Sequence, residues 1–107
     1  MVKFKIPCGW RVFHTTYGEI ISFGGLGICD DCSTLHTEGG YLVPVLNHWM
    51  CQSCFDEWRF RTQFYPSDVC FEQINIDIYQ EYLPVNKVLN SYEEFEIYLQ
   101  EKGDEIC

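Results

Sequence analysis

Four cysteines carry the clearest chemistry in this chain. They form two pairs, Cys29-Asp-Asp-Cys32 and Cys51-Gln-Ser-Cys54, with eighteen residues between them. Zinc favours four soft ligands in a tetrahedron, and a two-residue spacer lets one tight turn present two thiolates to the same ion. A single pair has many uses. Two pairs at the separation of a hairpin point to one zinc shared by Cys29, Cys32, Cys51 and Cys54. Four thiolates leave no open position for water or substrate, so the expected role of the metal is structural.

Other chemistries compete for the same residues. His36-Thr-Glu38 ahead of Cys51-Gln-Ser-Cys54 echoes the HxE…PCxxC arrangement of zinc deaminases. There His36, Cys51 and Cys54 would hold the metal and Glu38 would shuttle protons. Against it, Met50 stands where a proline would precede Cys51, and only twelve residues separate Glu38 from Cys51. Cys29 and Cys32 would also be left idle. A redox role for either pair calls for a βαβ pattern, which the sequence lacks. Cys8, Cys70 and Cys107 sit in no recognisable nucleophile context and read as buried or incidental thiols. His48, three residues before Cys51, could replace a thiolate but reads more simply as a neighbour of the site or a surface residue. His14 reads as a sheet residue, and Trp10, Trp49 and Trp58 as core. Gly24-Gly25-Leu26-Gly27 lacks the Lys and Ser/Thr of a phosphate loop and serves as a backbone turn into the first pair.

Positioning four sulfurs requires a turn, a return path and a rigid second support. Two β-rich runs flank Tyr17-Gly18 within residues 10–23 and predict a hairpin. Glu38-Gly39-Gly40 predicts a turn, and Tyr41–Leu46 a strand that Pro44 confines to an edge or a bulge. From Gln52 to about Tyr65 the period becomes helical. Cys54, Phe55, Trp58, Thr62 and Tyr65 share a face until Pro66 stops the run. Residues 68–82 fit a helix through Phe71, Ile74, Ile78 and Tyr82, although Ile74–Tyr79 also alternates as a strand would. Ser91 and Glu94 form a capping box for a last helix, with Phe95 and Leu99 four apart and Gly103 as its stop.

A knuckle, a hairpin and a helix carrying the last two ligands resembles a treble-clef zinc finger, and the ligand spacing is similar to that of GATA-type fingers. The resemblance covers residues 29–65 and concerns the metal framework; it implies zinc held by Cys29, Cys32, Cys51 and Cys54. GATA-type fingers read DNA through basic side chains. Residues 28–65 here hold Arg59 and Arg61 against Asp30, Asp31, Glu38, Asp56 and Glu57.

The whole chain therefore reads as a small zinc-stabilised α+β protein of one domain. A β-rich segment (1–28) leads to a four-cysteine finger (29–65) and an acidic helical region (66–107). Its 107 residues suit one compact unit, for which a metal staple is a large help. The net charge of −9 is lopsided: residues 68–107 hold ten acids against Lys87 and Lys102, whereas residues 1–67 are nearly neutral. Phosphate binding needs clustered Lys or Arg, so the balance opposes direct nucleic-acid binding and suits a protein partner with a basic surface. Seven cysteines, four of them in metal-type pairs, favour a reducing compartment, hence the cytoplasm. No apolar run approaches the roughly 20 residues of a membrane helix, and the first residues do not form a signal peptide. These features predict a non-enzymatic interaction module with an acidic binding face. The competing expectations are an acidic nucleic-acid mimic that inhibits a nucleic-acid-processing or defence complex, a nucleic-acid-binding finger, and the deaminase.

Overall fold

Met1 to Ile6 alternates, with Val2, Phe4 and Ile6 buried on one side and Lys3 and Lys5 on the other, and it makes the first strand. The computed structural model describes residues 1–106, with side chains described through Glu101; Cys107 and the side chains of Lys102, Asp104, Glu105 and Ile106 lie outside the described residues. Strand β1 (Val2–Lys5) pairs antiparallel with β2 (Arg11–Thr15), so an N-terminal hairpin is present but begins earlier than the sequence predicted. The run after Tyr17 is a helix, α1 (Tyr17–Ser22), not the return strand. Thr16 and Glu19 explain the correction. Thr16 Oγ1 accepts from the Glu19 N–H while Glu19 Oε1 accepts from the Thr16 N–H, a reciprocal cap that outweighs the β-propensity of Ile20 and Ile21.

β3 (Gly40–Val43) and β4 (His48–Met50) extend the sheet, and β5 (Lys87–Val88) adds parallel to β1, giving the order β4-β3-β2-β1-β5. Pro44 falls just past β3 in the turn to β4, and β3 is an interior strand, so neither an edge position nor a bulge is needed. α2 (Gln52–Arg61) stops four residues before the expected Tyr65, and Pro66 instead opens a 3₁₀ turn, Pro66–Asp68. α3 (Val69–Tyr82) takes up the ambiguous segment as a helix. α4 (Tyr92–Ile106) follows the Ser91/Glu94 cap, in which Glu94 Oε2 accepts from Asn90 N–H, and runs through Gly103 without stopping.

The sheet is covered on both faces. Phe4, Val12, Tyr41, Val43 and Met50 pack with Phe55 and Trp58 of α2 and Phe95 of α4. Phe13, Leu42 and Trp49 pack with Ile20 of α1 and Ile76 and Tyr79 of α3. Successive strand residues point to opposite faces, so β2 and β3 place apolar groups in both layers. All three tryptophans are buried, as expected of core residues. Within this sandwich Gly40 has no room for a side chain: a Cβ there would stand 2.5 Å from the Met50 carbonyl oxygen and 2.7 Å from the Trp49 ring. Overpacking of this kind costs about 1–3 kcal/mol. Gly40→Ala is accordingly expected to lower stability by about that amount in urea unfolding, and a change below about 0.5 kcal/mol would contradict the tight approach.

Candidate metal centre

The first cysteine pair sits in a turn that the backbone closes on itself. Ile28 bridges Leu35, Cys29 N–H donates to the Thr34 carbonyl, and Ser33 N–H donates to the Cys29 carbonyl at 2.8 Å. Ser33 takes φ 60°, the left-handed geometry such a turn demands. Asp30, inside the pair, clamps this knuckle to the sheet. Its N–H donates to the Trp49 carbonyl, and its carboxylate accepts the Trp49 N–H at 2.8 Å. Two bonds thus tie the knuckle to β4, two residues before Cys51. Nothing in the sequence reading singled out Asp30; an acid within a tight turn, able to accept a backbone N–H, was the available signal.

The second pair is placed by α2. Cys51 is its N-cap residue and Cys54 lies in the first turn, where unpaired N–H groups and the positive dipole end favour thiolates. The Cys54 backbone N–H bonds the Cys51 sulfur. Phe55 and Trp58, fully packed in the core, hold the helix in register. Cys29 and Cys51 are buried, Cys54 is half-buried and Cys32 is exposed.

The four Sγ atoms lie within 4.8 Å of one another. A tetrahedron with Zn–S of about 2.3 Å has edges of about 3.8 Å, and Cys32 Sγ to Cys51 Sγ is 3.9 Å. A disulfide would require about 2.05 Å, and all four are free thiols. The donor set therefore fits a divalent zinc. Cys29, Cys32, Cys51 and Cys54 would hold it, and it would supply a crosslink between the knuckle and α2. Burial pushes the Cys51 and Cys54 thiols up; the neighbouring sulfurs add to this at Cys54, whereas at Cys51 the Cys54 N–H and sulfur oppose it. A cation at the centre reverses that sign, because it binds the thiolate form.

The two histidines flank the cluster. His36 Nε2 stands 3.8 Å from Cys32 Sγ, while His36 Nδ1 lies 2.8 Å from Glu38 Oε1. Bonding to Cys32 and then to Glu38 raises the His36 pKa, favouring an imidazolium that donates from both nitrogens. In return His36, then Thr34, hold the Cys32 thiol down to about 6. Glu38 thus engages His36, and the sulfurs gathered with Cys51 and Cys54 are those of Cys29 and Cys32, the pair a deaminase arrangement would leave idle. His48 Nδ1 is 3.3 Å from Asp31 Oδ1, an ion-pair distance without hydrogen-bond geometry. Groups that orient a metal ligand typically contribute 10–100-fold to affinity. His36→Ala is expected to weaken zinc binding about tenfold in a chelator competition while the fold persists; unchanged affinity would mean the ring only covers the surface.

The remaining thiols are elsewhere. Cys8 is half-buried against the α2/α4 side of the core, and Cys70 is exposed on α3. No helix among the described residues is long and apolar enough to cross a membrane. Comparison with protein-family models, with curated proteins and with solved structures found no match to the chain.

Proposed function

We propose that the chain is a protein-interaction module of the treble-clef kind, built on one structural zinc and without enzymatic activity of its own. The observation that carries the reading is the mutual approach of four sulfurs within 4.8 Å, a set that fills a tetrahedral coordination sphere. With no open position, the metal cannot activate water, and function passes to the surface that it holds in shape. The order of knuckle, β3–β4 hairpin and α2 supports the treble-clef reading, with the hairpin here continued by three further strands. Residues 68–107 carry most of the net charge of −9, which suits a partner with a basic surface and opposes phosphate binding. Free thiols throughout the described residues suit a reducing compartment such as the cytoplasm.

Cobalt substitution tests the closed site. A tetrahedral four-thiolate cobalt centre is expected to keep its visible spectrum when cyanide or azide is added, because no ligand position is free. A spectral shift on adding either anion would reveal an exchangeable position and overturn the non-enzymatic reading.

A further inference from the structure

Helix α3 is turned against its own composition. Glu72 and Asn75 face the sheet with Ile76 and Tyr79, while Phe71, Ile74, Ile78 and Tyr82 point away, 47%, 57%, 41% and 66% exposed. The inward polar groups are satisfied: Arg11 bonds Glu72, and Asn75 Nδ2 donates to the Pro44 carbonyl. Residues 71, 74, 78 and 82 recur at helical spacing, so the outward side chains form one continuous apolar row along α3. Beside its C-terminal end lies a cavity of about 430 Å³ between α3, the sheet and the Gly24–Gly27 loop. Phe23, Leu26, Ile28, Leu42 and Trp49 line it. The Phe23 ring in its wall meets Tyr82 edge-on at 5.9 Å and Tyr79 at 5.7 Å, so row and cavity are continuous.

The charge bordering the row and the cavity is acidic, while Lys3 reaches the Gln80 side of α3 and acts on Asp77 from there. Asp30 is the charged residue of the cavity wall, and no Lys or Arg lines it. Asp77 and Glu81 follow Ile74 and Ile78 by three residues and flank the row on its exposed side. A second copy of the chain would oppose these same acids across an isologous seam, on a protein of net charge −9.

We propose that the α3 row and its adjoining cavity dock an amphipathic helix of a protein partner, one whose apolar face lies along Ile74 and Ile78 and whose flank carries Lys or Arg. An apolar anchor from that helix enters the cavity beside Phe23 and Leu26, and its basic flank meets Asp77 and Glu81. The proposal rests on the interaction-module reading and narrows it to one face of the acidic region.

The test uses the zinc-loaded full chain with two synthetic four-turn helical peptides, one of Leu and Lys and one of Leu and Glu. Binding is read by fluorescence anisotropy and located by amide NMR shifts. The Leu/Lys peptide is expected to bind, with shifts on residues 71–82 and 23–28. The Leu/Glu peptide is expected to bind at least about tenfold more weakly. Ile78→Ser and Leu26→Ser, both at exposed positions, should each weaken binding about tenfold with zinc content unchanged. The pair Asp77→Asn and Glu81→Gln should cost about threefold and flatten the salt dependence. Shifts confined to α4 at Glu93 and Glu96 would overturn this site while leaving an interaction module in place. Binding indifferent to Ile78→Ser, or self-association abolished by it, would also overturn the site. The cobalt experiment fails independently of all these outcomes.

Discussion

Removal of zinc by a strong chelator is expected to unfold the segment from the knuckle to the end of α2, and Cys51→Ser is expected to do the same. Structural zinc contributes about 10–16 kcal/mol of apparent binding energy in small fingers, and a domain of this size is stable by only about 5–15 kcal/mol in total. The metal term is therefore comparable with the whole margin. Its loss is transmitted directly, because Cys29 and Cys51 lie inside the same buried cluster as Tyr41, Phe55 and Trp58. Without the crosslink, the knuckle keeps its two Asp30–Trp49 bonds and the Asp31–His48 contact to β4, while the short Ile28–Leu35 bridge closes it only on itself. One zinc per chain by elemental analysis, and collapse of amide dispersion for residues 28–61 on chelation, are the expected readings. A chelated protein with an unchanged spectrum and melting temperature would sink the structural role.

Breaking the contact between Arg11 and Glu72 has the second largest expected effect. Glu72 is 3% exposed, and its carboxylate accepts from the Arg11 backbone N–H and from the guanidinium, both at 2.8 Å. Arg11→Ala leaves that buried charge with the backbone bond alone. Stripping one partner from a buried pair costs about 3–5 kcal/mol. The Arg11 side chain is itself 26% exposed, so solvent screens the pair and the lower end, about 3 kcal/mol, is expected. Replacing both by Met should recover most of the loss, since apolar groups of similar volume fill the same space without a charge to desolvate. Denaturant unfolding of Arg11→Met, Glu72→Met and the double Met variant measures the coupling. A loss below about 1 kcal/mol in Arg11→Ala would show that α3 is anchored by Asn75, Ile76 and Tyr79 without help from the ion pair.

The pair also explains why α3 was only half legible. Its helical period can be read from residues 68–82, but the period does not say which side of the helix is buried, and the apolar row at Phe71, Ile74, Ile78 and Tyr82 is exposed. Orientation was decided by partners distant in sequence: Arg11 sixty-one residues away and the Pro44 carbonyl thirty-one away. Local pattern carries no record of such partners. α1 is a different case, because Thr16 and Glu19 announced its cap within four residues, and β-branched neighbours masked the signal. Gly103 illustrates the reverse error, a local stop signal that α4 overrides.

The metal centre was readable because its information is short-range. Two residues between thiolates place both on one turn, and the hairpin-length spacing between pairs allows them to meet, whatever the rest of the chain does. Composition likewise disclosed the acidic half, since charge is counted without knowing the fold. Which face of α3 is left uncovered, how Asp30 ties the knuckle to β4 and where His36 approaches Cys32 all depend on long-range pairing across the sheet. Those contacts form only when strands far apart in sequence come into register, and each is chosen by shape and hydrogen bonding rather than by periodicity.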